Sequence, residues 1–245
     1  MDTRLATYLA LIFLSAVAGA LPPLLGKWSQ RQLHLFVAFG AGVFLSATFF
    51  HLLPDALTAD AGRWPQFTIF AGFLMVLVTD RVILARLAGT IDSPEEGQHR
   101  AIGVTALVGL CLHSVTAGIS LGLGQSHPET AKVIFLAILS HKAVAAFSLA
   151  TIFRLSKIPI TTTLWMLAIF ALSTPLGTLA ALPLVPLLSD WNPAIPESLA
   201  TGTFMYVAIM NLLPEAFHDA PRRPATVMAL GAGIVVMAVL SSLGG

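Results

Sequence analysis

Apolar runs of about 20 residues follow one another along nearly the whole chain, each long enough to carry a helix across the roughly 30 Å hydrocarbon core of a bilayer. In hydrocarbon every backbone N–H and C=O must be satisfied within the fold, which runs of this length and apolarity achieve as α-helices. Only 10% of the 245 residues are Asp, Glu, Lys or Arg, against about 25% in soluble domains. A mean hydropathy of +0.85 spread over the full length excludes a water-soluble fold around one core. The expected class is an all-α polytopic membrane protein, with connections too short for a separate extramembrane domain.

Charges, Pro and Gly delimit eight spans, at about 5–25, 33–54, 66–88, 102–124, 131–153, 160–184, 198–217 and 225–243. The first follows Met1–Arg4 without a small-residue cleavage site and reads as a retained helix, not a signal peptide. Nine Lys and Arg residues fall on the odd-numbered connections: Lys27, Arg31, Arg81, Arg86, Arg100, Arg154, Lys157, Arg222 and Arg223. Arg4, Arg63 and Lys132 fall on the other face, and Lys142 lies within span 5. The positive-inside rule then places both termini outside the cytoplasm. The polar stretch Gly89 to Ala101, with His99, is expected as a solvated cytoplasmic loop. A net charge of +1 gives no basic face for nucleic acid. Cys111, the single cysteine, offers no disulfide and reads as a packing residue.

Spans 2 and 7 share a segment. Gly42 to Ala56 (GVFLSATFFHLLPDA) aligns without a gap to Gly202 to Ala216 (GTFMYVAIMNLLPEA), with six of fifteen positions identical. The two spans cross in opposite senses, so the chain is expected to hold an inverted repeat. Residues about 1–88 and 160–245 would form the two halves around the central spans in 102–153, in one transmembrane transporter domain. That arrangement is common in alternating-access transporters. Both segments carry a polar pair spaced i, i+4, His51 with Asp55 and Asn211 with Glu215, which stacks each pair on one helical face. The prolines beside them free backbone carbonyls that a neighbour, water or a cation must satisfy.

Spans 4 and 5 each place a histidine at about mid-membrane, His113 followed by Ser114 and His141 followed by Lys142. Ionisable groups at that depth face the bundle interior and mark ion or substrate pathways. Two neutral imidazoles on adjacent helices can clamp a transition metal without cysteine. Around them Ala117, Gly118, Gly122, Ala143, Ala145 and Ala146 permit close packing and leave space for an ion.

The eight-span pattern, His113-Ser-Val-x-x-Gly118, His141-Lys142, Ser173-Thr-Pro-Leu-Gly177 and the two Leu-Leu-Pro-Asp/Glu segments together resemble the ZIP (Zrt/Irt-like) family of divalent metal transporters. The match runs from span 2 to span 8 and is nearest the branch with His-Lys in the fifth helix. The resemblance implies uptake of Zn²⁺, or Fe²⁺, toward the cytoplasm, with His113, Ser114 and His141 at ligand positions and Lys142 where other members place a second-metal ligand. One departure stands out: the family carries a carboxylate four residues after the span 4 histidine, and this chain has Ala117 there, with Ala145 at the matching span 5 position. Two imidazoles and a hydroxyl do not offset a divalent charge at low dielectric. Asp55 and Glu215 are then the carboxylates expected to reach the pathway, with His218 one turn beyond Glu215 at the inner exit.

The metal is expected as substrate and not as cofactor, and the lipid bilayer is the other partner. A plasma membrane, a bacterial inner membrane foremost, is the expected location, and homodimer formation is left open. The alternative is a family-fold homologue that has lost metal transport and acts as a sensor, scaffold or carrier of another solute. An enzyme is not expected, since neither a Gly-x-Ser-x-Gly elbow, a His-Glu-x-x-His zinc helix nor a Gly-x-x-x-x-Gly-Lys-Ser/Thr loop is present.

Overall fold

The computed structural model describes residues 2–58, 62–87, 94–187, 194–217 and 224–244. These form ten helices: α1 (Thr3–Leu25), α2 (Gln30–Ala47), α3 (Leu53–Thr58), α4 (Trp64–Leu87), α5 (Pro94–Leu123), α6 (Pro128–Leu155), α7 (Ile160–Ala181), α8 (Ala194–Tyr206), α9 (Leu213–Phe217) and α10 (Pro224–Gly244). No strand occurs among the described residues. Seven described segments are long and apolar enough to cross a membrane. The predicted span not among these seven, 198–217, lies in the helical stretch 194–217, whose hydropathy is lowered by Glu197, Asn211 and Glu215.

Local chemistry sets the helix ends. Asp2 accepts from the Arg4 amide at 3.4 Å to cap α1, and Ser29 with Gln32 forms a reciprocal capping box on α2. Arg154, in the last turn of α6, donates to the Leu24 and Gly26 carbonyls at 3.3 and 3.4 Å, satisfying acceptors at the C-terminal end of α1. The polar stretch expected as a loop from Gly89 to Ala101 is partly helical, because α5 begins at Pro94, a residue suited to a first helical position. Residues 88–93 lie outside the described ones.

The two related segments break in the same way. Between α2 and α3 the chain widens into a π-helical turn at Thr48–Leu52, and between α8 and α9 into another at Val207–Leu212. Pro54 and Pro214 cannot donate, so the preceding amides reach one residue further back. Leu53 donates to the Thr48 carbonyl and Leu213 to that of Ala208, at matching positions.

Packing divides the helices into two groups. One comprises α1, α5, α6 and α7, in which α1 lies on α6 and α7, and α5 on α6 and α7. The other comprises α2, α4, α8, α9 and α10, in which α2 lies on α10 and α4 on α8. They meet where α5 packs on α8 and α2 on α6. Lipid supplies no hydrophobic drive between helices, so association relies on close backbone approach at small residues. Gly42 lies against the Leu230 carbonyl and Gly233 against that of Phe39, which joins α2 to α10. Gly202 lies against the Ile69 carbonyl and Gly72 against that of Leu199, which joins α8 to α4 in the same pattern. Matching residues of the two segments also meet: the Phe44 and Phe204 rings stack at 4.3 Å with 5° between planes. At the α4–α8 contact, buried Asp80 accepts from the Tyr206 hydroxyl at 2.7 Å.

Any side chain at Gly42 or Gly202 must push these backbones apart. Gly42→Val and Gly202→Val are each expected to destabilise the detergent-purified protein by at least about 1–3 kcal/mol, read as a lower thermal unfolding midpoint. Gly231→Ala, which adds its methyl to open space, should leave the midpoint unchanged or raise it slightly.

Candidate metal centre

The central histidines meet inside the bundle. His113 on α5 is 5% exposed and His141 on α6 is 3% exposed, and their Nε2 atoms stand 3.3 Å apart. His113 Nδ1 donates to the Ala200 carbonyl of α8 at 3.0 Å, which fixes the tautomer and turns the Nε2 lone pair toward His141. A carbonyl holding the far ring nitrogen is the usual support of a metal-ligating imidazole. Phe204, one turn beyond Ala200, closes one side, with its ring centroid 4.5 Å from that of His113 and 5.3 Å from that of His141.

The spacing has chemical meaning. Two Zn–N bonds of about 2.05 Å at a tetrahedral angle of about 109° hold their nitrogens about 3.3 Å apart. The Nε2 pair already has that separation. Without a cation between them, one ring must donate to the other, and a metal bound there would take the place of that shared proton.

Beside the pair, Lys142 is 2% exposed. Its Nζ donates to Ser114 Oγ at 3.0 Å, Thr174 Oγ1 at 3.0 Å and the Phe170 carbonyl at 3.4 Å. It also lies 3.9 Å from the centroid of the Phe170 ring, a cation–π contact. Ser114, expected as a metal-ligand position, is therefore engaged by Lys142. Thr174 belongs to the Ser173-Thr-Pro-Leu-Gly177 segment, which sequence reading singled out by resemblance alone.

The two imidazoles open onto a cavity of about 20 Å³, room for one water-sized guest. Leu52, Ala117, Ser120, Ile134, Glu197 and Ala200 complete most of its wall. Asp55 and Glu215, the carboxylates expected from the sequence to reach the pathway, do not border this cavity, while Glu197 does. Glu197 was missed because it sits at the first turn of its helix, where an acidic residue reads as a complement to the helix dipole. Its spacing to Ala200 and Phe204, i, i+3, i+7, was the available signal that all three share a face.

The remaining predicted residues form two further groups. His51 Nδ1 lies 3.1 Å from Asp55 Oδ2, with side-chain exposures of 21% and 49%, and Glu197 is within electrostatic reach of both. Asn211 donates to Thr105 on α5 at 3.2 Å, one turn from buried Glu215. Thr105 precedes His113 by eight residues, about 12 Å along the helix, so this group is separate from the imidazole pair. His218 lies outside the described residues. Among the described residues, no three His, Cys, Asp or Glu side chains stand close enough together to hold a metal ion as they are.

The fold is that of a polytopic helical membrane protein with a buried pair of imidazoles at the contact between two helix groups. The family model for ZIP zinc transporters matches residues 2–101 and 87–241, and the chain belongs to that family. It is 28% identical to zinc transporter ZIP1 of Takifugu rubripes, over 100% of this chain and 99% of that protein. It is 27% identical to zinc transporter 11 of Arabidopsis thaliana, over 98% and 85% of the two chains. To the human zinc transporter ZIP1 it is 28% identical, over 85% and 78%.

Buried Lys142 donates to the Ser114 and Thr174 hydroxyls. Thr174→Val should destabilise the protein by about 1–3 kcal/mol, measured by thermal unfolding in detergent. In a Lys142→Met background the same substitution should cost little, so a double-mutant cycle will show strong coupling.

Proposed function

We propose that this protein moves Zn²⁺, with Fe²⁺ and related divalent ions as further substrates, across a plasma membrane toward the cytoplasm. The observation that carries the reading is the pair of buried Nε2 atoms, 3.3 Å apart and backed by the Ala200 carbonyl. That pair is preorganised for a borderline-soft ion and poorly suited to a hard, oxygen-seeking one such as Mg²⁺ or Ca²⁺. Membership of a zinc transporter family and zinc transporters as relatives along the whole chain point the same way.

In this reading His113 and His141 ligate the ion, and Lys142 holds a fixed positive charge where a second ion would otherwise sit. Ser114 serves as that charge's partner. His51 and Asp55 form the outer approach, and Asn211 and Glu215, with His218, the inner exit. The excess of Lys and Arg on the odd connections supports extracytoplasmic termini. The matched π-helical turns, the reciprocal glycine contacts and the Phe44–Phe204 stack support an inverted repeat. Transport then proceeds by sliding or rocking one helix group against the other, carrying the imidazoles past α8.

A second reading, a homologue without transport activity, is favoured by Ala117, whose methyl borders the cavity where the family places a carboxylate. Proteoliposomes separate the two. Wild-type protein should accumulate Zn²⁺ in the lumen, and His113→Ala and His141→Ala should each reduce initial uptake by at least about tenfold. Uptake by the double variant equal to wild type would refute the assigned pathway, and no uptake by wild type would favour the second reading.

A further inference from the structure

We infer that Glu197 is the anionic ligand of the transported metal, reaching the His113–His141 pair from the opposite helix group. The inference rests on the transport reading above and names the charge that site lacks. Two neutral imidazoles bring no negative charge to a divalent ion, and Lys142 adds a positive neighbour. The positions that would supply a carboxylate from α5 and α6 are Ala117 and Ala145, both buried.

Three carboxylates compete for the role. Asp55 is half exposed and already lies 3.1 Å from His51. Glu215 stands one turn from Asn211, which bonds Thr105 about two turns from His113 along α5. Glu197 alone among them borders the cavity onto which both imidazoles open. It also precedes by three residues the Ala200 carbonyl that orients His113, so ring and carboxylate are referred to one helical face.

The resulting site has two imidazole nitrogens, one carboxylate and room for a water, the three-plus-one arrangement of an open zinc site. In the present arrangement the carboxylate is not yet at ligand distance, and rotation of its side chain into the cavity completes the set. The imidazoles belong to α5 and α6 and the carboxylate to α8, in the other helix group. Sliding of the groups therefore separates the anion from the nitrogens, lowers affinity and frees the ion.

The test uses the full chain, as purified protein for Zn²⁺ titration against a competing fluorescent chelator and in proteoliposomes for uptake. Glu197→Gln should weaken Zn²⁺ binding by at least about tenfold without changing the metal-free unfolding midpoint, and Glu197→Asp should recover part of the loss. Glu197→Cys should shift the preference toward Cd²⁺ over Zn²⁺, as a softer ligand requires. Ala117→Glu placed in the Glu197→Gln background should restore affinity by returning a carboxylate to the same cavity. Wild-type affinity in Glu197→Gln overturns the proposal. So does a loss that Asp55→Asn matches, that salt abolishes and that Glu197→Cys does not turn toward Cd²⁺, since such a carboxylate only attracts cations to the mouth. If His113→Ala also binds Zn²⁺ normally, the imidazole pathway itself is wrong; if only the Glu197 variants are silent, that pathway stands and this inference alone fails.

Discussion

A lysine amine in the middle of a bilayer has no water to turn to, and the centre of this protein is organised around providing substitutes. Lys142 finds a hydroxyl on α5, a hydroxyl and a carbonyl on α7, and the face of the Phe170 ring. Each contact fixes a helix against α6. Because Ser114 and His113 are neighbours on α5, as Lys142 and His141 are on α6, the register that satisfies the lysine also brings the imidazoles together. An uncompensated polar group in hydrocarbon costs several kcal/mol, which makes alternative registers of α5 on α6 expensive.

Around that centre, the helices are joined by backbone approach more than by side-chain bulk. Four glycines place α2 on α10 and α8 on α4 in two matching arrangements, each methylene lying against a carbonyl of the partner. The buried imidazoles end up at the seam between the two helix groups, with His113 and His141 on one side and Ala200, Phe204 and Glu197 on the other. A site divided in this way changes composition whenever the groups move. That property suits an ion carrier, which must bind and then let go.

Much of this was legible in the sequence, and particular residues explain why. Eight apolar spans follow from length and hydropathy because hydrocarbon thickness is a fixed ruler. The shared Leu-Leu-Pro segment signalled matched local structure, and the prolines indeed force matched π-helical turns. His113 and His141 stood out because imidazole in an apolar run is costly. Thr174 and Phe170 did not, since a threonine or phenylalanine in a membrane helix is ordinary until a lysine from another helix is seen beside it. Nor did Glu197, because an acidic residue at a helix start has a sufficient local explanation. The helical start at Pro94 was hidden by a run of polar residues that read as loop.

Sequence alone determined the solvent, the apolar spans, the costly groups and the missing carboxylates at Ala117 and Ala145, because each follows from composition and spacing along one chain. Tertiary structure alone decided that Ser114 serves Lys142, that Ala200 holds His113 and that Glu197 borders the same cavity as both imidazoles. Those are contacts between helices some 30 to 90 residues apart in the chain, and periodicity within a helix says which face a residue occupies but not which face of which neighbour it meets.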